Sequence, residues 1–559
     1  MGQDFIFGLF YGIIYGYFSV FTITMESASP QPEKKNGGKR FLFIIAIAGL
    51  ALLGGYLFIG DQLLFQLQQR VDLRSSARGE DEVLTIGYAF APDHLEPTHF
   101  DQIARNYLAN IYEGLVRTDR DLNVEPALAV SWGLLDPLTW EFRLRPGATF
   151  QNGAPLTADD VVYSIERAAR FEESELKDLL NTIQSIEVAE NEKILIHTRV
   201  PDPLLLNKLA VTFIFPNNYQ DFDIPVGTGP YQFVSYEDGK MALKRNAAYW
   251  GTAPAFPHVI LNSIPDRKER LVALEKGQVQ LLGNVPPTAA CSRLDNFHHP
   301  DECQPINAED VEIMSIPSLE VSFIIFNVEH ELFQSRAARE ALTYAFDIHV
   351  FEDIAFGFAK GADQFVSSGV FGFNPQIEPR EFDMEKAQQL IDSVIGSSFE
   401  RVSVTFDYPE KLHPVGEYVS LQLTDLGIDV DLNPISDLEL QQKIIQGTSD
   451  FYFLGWRSEL GDASDVLQGM VHSRDRTSGY GLYNGAHYVN KKVDQLIEES
   501  QENLDEESRG AQLQEIMKIV TEDDILGVPL FESETIYAVH NGIHFEPRVD
   551  GYILASDIW

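Results

Sequence analysis

Two cysteines and two histidines lie close together in the sequence and could form either a disulfide bond or a metal site. Cys291 and Cys303 bound the stretch CSRLDNFHHPDEC, and His298 and His299 lie between them. In an exported protein, a lone cysteine pair at this separation predicts a disulfide that closes a small loop. Zinc held by two cysteines and two histidines is the alternative, but the spacing matches no standard zinc pattern.

The chain carries none of the short motifs that mark the common enzyme classes. It has no G-x-S-x-G, no H-E-x-x-H and no Walker loop. The string GTGPYQ at Gly227 begins like a dinucleotide-binding fingerprint, but it lacks the third glycine and no helix is predicted after it. We therefore expect no catalytic residues, no metal and no cofactor. A hydrolase whose site no motif marks stays open as an alternative.

The charge balance argues against nucleic acid as a partner. The 559 residues include 42 basic and 84 acidic side chains, which gives a net charge of -42 at pH 7. A nucleic-acid-binding surface needs clustered Lys and Arg, and they cluster only in a short run near Lys34. The acidic surface favours solubility and, weakly, cationic ligands. A chain of this length is expected to form two or more lobes.

Hydrophobic patterns predict a body of mixed α and β structure. Alternating apolar residues predict strands at 84–88 and 140–144, and Thr157 followed by Asp160 predicts a capped helix start. Helical spacing of apolar residues recurs in three later segments, which are 338–346, 384–391 and 493–519.

The clearest predicted unit runs from Val402 to Leu432. Alternation at its two ends predicts two strands, and helical spacing between them predicts a helix. Gly427 lies where that helix would end in a left-handed conformation. This is the pattern of a βαβ crossover, so part of the sheet is expected to be parallel. Residues Phe451 to Leu454 would add another strand to it.

An apolar stretch near the N-terminus predicts a transmembrane helix. Residues 41–59, FLFIIAIAGLALLGGYLFI, carry no charge and nearly span a hydrocarbon core at about 1.5 Å per residue. Basic residues precede this stretch and Asp61 follows it, so the positive-inside rule places the body outside the cytoplasm. We expect an uncleaved anchor, with a tether at 60–82. A cleaved signal peptide is the alternative.

A second apolar stretch, 5–23, precedes the anchor within the predicted cytoplasmic segment 1–40. It could form another spanning helix, which would make a hairpin with the basic loop in the cytoplasm. Alternatively, the chain could start at Met25, from which the sequence is typical of a polar N-terminus, a basic patch and an anchor. The sequence leaves both interpretations open.

Several blocks of sequence resemble one family and follow in its order. The block from Asn110 to Ala168, NIYEGLVRTDRDLNVEPALAVSWGLLDPLTWEFRLRPGATFQNGAPLTADDVVYSIERA, resembles the N-terminal signature of the oligopeptide, dipeptide and nickel group of ABC-importer solute-binding proteins, family 5. Further matching blocks are VGTGPYQF at Val226, KRNAAYWG at Lys244, RAAREALTYAFD at Arg336, FDMEKAQQLI at Phe382, LTDLGIDV at Leu423 and YVNKKVDQLI at Tyr488. The resemblance covers about Val83 to the C-terminus, and the ordered series carries it.

The resemblance implies an α/β periplasmic-binding-protein-like fold of two lobes joined by a hinge. It is the class C form, with an enlarged first lobe. The resemblance implies a first lobe at 83–265 plus 505–559 and a second lobe at 266–504, which includes the predicted βαβ unit. Closure of such lobes buries a ligand between them, and the ligand's preference for the closed form drives the closure.

The resemblance also indicates ligand-binding residues in the second lobe. In peptide-binding relatives, the Asp of a W-x-x-D segment pairs with the ligand's α-ammonium group. The match here is GWRSELGD, with Trp456 in place, Glu459 where the Asp would stand, and Asp462 as a nearby substitute. Phe371, within SSGVFGF, is predicted to line the cleft. Glu459, together with Ala463 where relatives often have Pro, weakens the prediction of an ordinary peptide ligand. The structural alternative is a solvated Glu459 and a Trp456 that only packs the sheet.

The resemblance implies a monomeric binding protein on the extracytoplasmic side of a cell membrane, periplasmic or extracellular. It would capture a small ligand, most simply a short peptide, and deliver it to permease and ATPase subunits on separate chains. One alternative is a sensing receptor that signals to a membrane partner. Another is a non-peptide ligand such as an oligosaccharide, a nickel chelate or haem.

Overall fold

The computed structural model describes residues 79–559, apart from 218, 292–302, 308, 396–401 and 476. Both predicted membrane segments, 5–23 and 41–59, lie outside the described residues. Within the part of the chain that is described, no helix is long and apolar enough to cross a membrane.

The described residues form a mixture of strands and helices. The strands are β1 (Val83–Tyr88), β2 (Glu113–Gly114), β3 (Val116–Thr118), β4 (Val124–Pro126), β5 (Ala129–Asp136), β6 (Thr139–Leu144), β7 (Ile183–Ala189), β8 (Lys193–Thr198), β9 (Phe213–Ile214), β10 (Tyr231–Glu237), β11 (Lys240–Arg245), β12 (His258–Ser263), β13 (Leu281–Leu282), β14 (Val311–Phe326), β15 (Ala359–Gly361), β16 (Val402–Pro409), β17 (Ile428–Ile435), β18 (Phe451–Arg457) and β19 (Gly527–His540). The helices are α1 (Gln102–Leu108), α2 (Ala158–Arg170), α3 (Leu205–Ala210), α4 (Arg267–Glu275), α5 (Pro287–Ala290), α6 (Arg336–Ala345), α7 (Ile348–Ile354), α8 (Met384–Ile395), α9 (His413–Asp425), α10 (Asp437–Gln446), α11 (Ser464–Val466), α12 (Lys491–Glu502) and α13 (Glu506–Lys518).

One large mixed sheet runs through the described body. Its strand order is β10-β11-β12-β1-β13-β19-β14-β18-β16-β17, and β15 pairs with β19. The two longest strands, β14 and β19, are antiparallel neighbours in the middle of this order. Their register shifts between Pro317 and Val321, so the two halves of the sheet meet at an irregular crossing. A separate four-stranded sheet has the order β5-β6-β8-β7.

Buried apolar residues form clusters on either side of this crossing. Three clusters are built chiefly from residues 84–306 and 536–558. Two others are built from residues 319–531. We call these two groups the first lobe and the second lobe. Each lobe therefore has its own hydrophobic core, and β14 and β19 join the two.

The predicted βαβ crossover is confirmed. Strands β16 and β17 pair in parallel from Val402 opposite Ile428 to Pro409 opposite Ile435, with α9 between them. Gly427 ends α9 at a φ of 81°, the left-handed conformation that the sequence predicted. The added strand is also confirmed, because β18 pairs with β16 in parallel.

The predicted start of α2 is confirmed. The predicted continuous helix 493–519 is wrong, because the segment is divided into two helices at 503–505. Thr157 donates its backbone N–H to the Asp160 carboxylate at 2.8 Å, which completes a capping box. The later segment is divided into α12 and α13. Asn503 accepts the backbone N–H of Asp505, and Asp505 accepts that of Ser508. These local side-chain bonds replace helical ones and end α12.

The predicted disulfide between Cys291 and Cys303 is present. Their Cα atoms lie 5.9 Å apart, within the usual range for a cystine. Because both sulfurs are bonded to each other, neither is a thiolate ligand for zinc. His298 and His299 lie outside the described residues. Cys291 is buried and directly follows Ala290, which packs in a small first-lobe cluster.

Candidate ligand-binding cleft

A cavity of 530 Å³ lies between loops of the two lobes. The first lobe lines it with the loop 121–124, Trp140 and Asn207, among others. The second lobe lines it with 368–371 and 460–462, and with the residues that begin α13. Cavities of about 300–1,000 Å³ with a few polar groups are typical of small-ligand sites. This position between two lobes makes the cavity the candidate binding site.

A tight turn brings the first-lobe loop into the cavity. The Asp119 carboxylate accepts the backbone N–H groups of Asp121 and Asn123, at 2.9 and 2.8 Å. The residue between them, Leu122, has a φ of 67°. Its side chain lies directly against Gly461 of the second lobe, where an added Cβ would come within 2.6 Å of Leu122 Cδ1. Gly461 therefore permits close approach of the lobes.

A polar contact also crosses the cleft. The side-chain amide of Asn207, on α3, donates to the backbone carbonyl of Leu460 at 3.3 Å. Together with the contact at Gly461, this hydrogen bond joins the two walls of the cavity beside the segment 460–462. The cavity is thus closed on one side by direct contact between the lobes.

Phe371, a predicted site residue, lies in the wall of this cavity. Its backbone N–H donates to the Gly461 carbonyl at 2.9 Å, and its carbonyl accepts the N–H of Ala463 at 2.9 Å. The segments 368–371 and 460–462 therefore form one continuous wall. The backbone N–H of Ser368 donates to the carboxylate of Glu532 on β19, which ties this wall to the crossing strands.

Asp462 also lines the cavity, but another side chain holds its carboxylate. Arg509 of α13 donates to both carboxylate oxygens at 2.7 Å, and both side chains are 5% exposed. The Arg509 guanidinium carbon lies 5.2 Å from the centre of the Phe371 ring. Asp462 is therefore already neutralised by a buried bidentate ion pair.

Trp456 and Glu459 are not among the residues that line the cavity. Trp456 is on β18, packs edge-on against Tyr483 at 5.6 Å, and abuts Gly469. The Glu459 carboxylate lies 3.2 Å from Nε of Arg457, with 35% of its side chain exposed. Burial raises the pKa of Glu459, and the positive charges of Arg457 and Arg105 oppose that rise. Glu459 directly precedes Leu460 in the cavity wall.

A carboxyl group that the sequence prediction missed lies beside them. Asp465 accepts the backbone N–H of Val466 at 2.6 Å. Burial raises the pKa of Asp465 to about 7, and the neighbouring charges of Asp462 and Glu459 also act to raise it. A hydrogen bond from Trp456 acts in the opposite direction. Trp456 therefore contacts an acid in this region, although not the predicted Glu459.

The C-terminal segment links α1 of the first lobe to the end of β18. Arg457 donates to the Asp550 carbonyl at 2.6 Å, and Gln102 of α1 donates to the same carbonyl at 3.4 Å. The Asp550 carboxylate is paired with Arg548 in a buried ion pair. Charged groups from both lobes therefore surround this segment next to Glu459.

Two α/β lobes joined by long strands, with a cavity between the lobes, form a periplasmic-binding-protein-like fold. The model of the bacterial extracellular solute-binding proteins, family 5, matches residues 123–478. The chain belongs to this family, which confirms the resemblance found in the sequence. Members are binding proteins for ABC transporters on the extracytoplasmic side of the membrane.

Individual relatives match this chain over most of their length. The glutathione-binding protein GsiB of Salmonella typhi is 26% identical over 437 residues, 74% of this chain and 82% of the relative. Heme-binding protein A of Haemophilus influenzae is 24% identical over 489 residues, 79% and 84% of the two chains. The structure of DppA from Helicobacter pylori in complex with the peptide STSA has a TM-score of 0.66 at 22% identity. That match covers 86% of this chain and 98% of DppA.

The structure brings together some of the predicted site residues and adds others. Phe371 and Asp462 line the cavity, and Glu459 directly precedes Leu460 in its wall, whereas Trp456 does not line it. The sequence prediction missed Arg509, because no local pattern shows that a helix some distance along the chain neutralises Asp462. The first-lobe loop carried a usable signal, since the alternating Asp and Asn of DRDLN are typical of a tight turn.

Proposed function

We propose that this chain captures a short peptide between its lobes and delivers it to an ABC-type permease with its ATPases. The observation that carries the proposal is the position of Glu459. Glu459 directly precedes Leu460 in the wall of the 530 Å³ cavity between the lobes, and its carboxylate side chain is half-buried. A carboxylate in such a place favours a ligand with a free ammonium group, because charge-assisted hydrogen bonds are strong where water is partly excluded.

Two further features support a peptide. The cavity combines apolar side chains such as Trp140 and Phe371 with polar groups such as Asn207. This mixture suits a ligand that alternates amide groups with side chains. The ligands for which two relatives are known, glutathione for GsiB and the peptide STSA for DppA, are also peptides. Haem, named for another relative, is the alternative ligand.

We infer that Trp456 supports the site indirectly. Its ring packs between Tyr483 and Gly469, and it bonds Asp465 rather than pointing at Glu459. Phe371 would contact the ligand, and Asp462 would act through its pair with Arg509. Among the predicted site residues, Glu459 is the one whose substitution should change the ligand specificity.

We also infer the lobe boundaries and the hinge from the packing. The predicted boundaries were 265/266 and 504/505, but α4 and α5 pack in a first-lobe core, and α13 packs in a second-lobe core. If the lobe boundaries lie within β14 and β19 instead, α4 and α5 belong to the first lobe and α13 to the second, as their packing requires. The register shift at 317–321 lies at that point and is a natural hinge.

The N-terminal stretch 41–59 would tether this body to the membrane. The support is the sequence itself, an uncharged stretch of spanning length preceded by basic residues. Tethering raises the local concentration of the binding protein near its permease. The alternative function, a sensing receptor whose closed form is recognised by a membrane signalling partner, would use the same anchor.

A thermal-shift screen of the purified full-length chain tests the proposed function. The ligands are di- to pentapeptides, their N-acetylated forms, oligosaccharides, nickel chelates and haem. A peptide at 100 times its Kd should add about 2.7 kcal/mol to the free energy of unfolding. Acetylation or Glu459→Gln should remove that gain, whereas Glu417→Gln on the exposed face of α9 should not. Stabilisation by haem or a chelate alone would contradict the peptide assignment.

A further inference from the structure

One aromatic residue from the second-lobe part of the chain is buried in a first-lobe core. Phe358 directly precedes β15, and it is 4% exposed. It packs in the small cluster to which α4, α5, β13 and the end of β19 contribute, with Leu282, Ala290 and Ala538 among its members. Among the buried core residues of the described chain, Phe358 alone packs in the cluster of the opposite lobe. This side chain therefore connects the two cores.

A tight turn after α7 precedes Phe358. Phe356 and Gly357 have φ angles of 58° and 75°, both in the left-handed region. A non-glycine residue in that region is strained, so the surrounding structure must hold Phe356 there. The backbone N–H groups of Gly357 and Phe358 donate to the carbonyls of Glu352 and Ala355, at 2.8 and 3.1 Å. Hydrogen bonds to the end of α7 therefore hold the turn from which Phe358 extends.

The segment 358–368 connects this cluster to the wall of the cavity. The Phe358 carbonyl accepts the backbone N–H of Glu534 at 3.0 Å, and β15 then pairs with β19. The register of β14 and β19 shifts between Glu534 and Glu532, so this pairing lies at the crossing of the long strands. At the other end, Ser368 lines the cavity and donates its backbone N–H to the Glu532 carboxylate at 3.0 Å. One short segment thus joins the first-lobe core, the crossing and the cavity wall.

We propose that Phe358 is a latch that stabilises the arrangement in which the lobes touch, and thereby contributes to ligand affinity. The second part rests on the proposed function, in which the ligand binds between the lobes. In the described arrangement, Leu122 contacts Gly461 across the cavity while Phe358 is buried. A rotation about the crossing that separates the lobes would move the segment 358–368 against the first-lobe core. The Phe358 ring would then lose its apolar contacts, so its burial opposes the rotation.

Spin labels on opposite sides of the cavity test the latch without any ligand. They are attached through Leu135→Cys and Glu507→Cys in the full-length chain, at exposed positions that each adjoin a lining residue in sequence. The two native cysteines are bonded to each other and take no label. Pulsed electron paramagnetic resonance then measures the distance between the labels. Phe358→Ala should shift the distance distribution to longer values, because the touching arrangement loses population.

The matched control is Phe351→Ala. Phe351 is also buried, but it packs within a second-lobe cluster, so its loss should lower stability and leave the distance distribution unchanged. Equal distributions for Phe358→Ala and the chain without that substitution, or the same shift in both variants, would overturn the proposal. Should Phe358→Ala not fold, Phe358→Val is measured instead with Phe351→Val as its control, and the same outcomes decide.

Titration with trialanine tests the contribution to affinity. A ligand that needs the touching arrangement binds with an apparent affinity that follows the population of that arrangement. Phe358→Ala should therefore bind trialanine severalfold more weakly, although no residue that lines the cavity has changed. Equal Kd values in the two chains would overturn the role of the latch in binding. A shifted distance distribution without trialanine binding in either chain would support the latch and contradict the peptide assignment instead.

Discussion

At the scale of single residues, the acids near the cleft differ in what holds them. Asp462 is fully engaged by Arg509, Asp465 is enclosed near other acids, and Glu459 shares Arg457 while partly exposed. A carboxylate can bind a ligand's cation and keep its existing ion pair only if some of its oxygen lone pairs are not already occupied. This is why we assign ligand contact to Glu459 and a structural role to Asp462.

The Asp462–Arg509 pair should be important for stability. Asp462→Asn leaves the Arg509 guanidinium buried without its counter-ion, so the free energy of unfolding should fall by about 3–5 kcal/mol. Urea unfolding of the second lobe, followed by fluorescence, measures this. Lys411→Gln breaks an exposed pair with Asp437 and should cost less than about 1 kcal/mol. Equal effects of the two substitutions would contradict the assignment.

Asp465 should make stability depend on pH. The pKa of Asp465 is raised to about 7 in the folded protein, against about 3.9 for an unfolded chain. Between these values the native state binds more protons than the unfolded state. Stability should therefore fall as pH rises through this window, by up to about 1.4 kcal/mol per pH unit from this group.

The variant Asp465→Asn removes this contribution. Its melting temperature, measured from pH 4 to 8, should fall less with rising pH than that of the unmodified chain. Asp437→Asn, at an exposed acid on α10, should leave the pH profile unchanged. An unaltered profile in Asp465→Asn would contradict the raised pKa.

At the scale of elements, the local sequence pattern of the βαβ unit predicts the same strands and helix that tertiary packing stabilises. Periodicity predicted β16, α9 and β17, and their apolar faces pack in one second-lobe core. The division of α12 from α13 shows the opposite case. Hydrophobic spacing continued through 493–519, but side-chain bonds from Asn503 and Asp505 interrupt the helix. The spacing of apolar residues does not reveal such a break, because the polar residues that cause it are not part of that pattern.

The end of α9 should depend on glycine. Gly427 has a φ of 81°, and no atom lies within 4 Å of the position that a Cβ would take. Gly427→Ala therefore costs only conformational energy, about 1 kcal/mol of unfolding free energy. Gly133→Ala is the matched control, because its site is equally open without a positive φ. Urea unfolding that shows no difference between the two would contradict the capping role.

At the scale of the whole molecule, the architecture connects the cleft to the crossing strands. Glu532 on β19 is 4% exposed and binds the backbone of Ser368 in the cavity wall. The register shift between β14 and β19 lies next to it. A rotation about this crossing would move the two walls of the cavity relative to each other.

A stabilising peptide should therefore favour a closed form of the molecule. Small-angle scattering should show a smaller radius of gyration for the chain with that peptide than without it. The N-acetylated peptide, which should not bind, is the control. In Asn207→Ala, which removes the hydrogen bond to Leu460 across the cleft, binding should be weaker by severalfold. An unchanged radius with a bound peptide would contradict lobe closure.

The sequence by itself determined the family, the mixed α/β body, the disulfide and the βαβ unit. These follow from local periodicity, turn chemistry and an ordered series of blocks, all of which are written along the chain. Only the tertiary structure decided that Asp462 is neutralised by Arg509 and that β14 and β19 join the lobes. Each of these depends on groups far apart in sequence, and pairing between distant groups is set by packing rather than by local pattern.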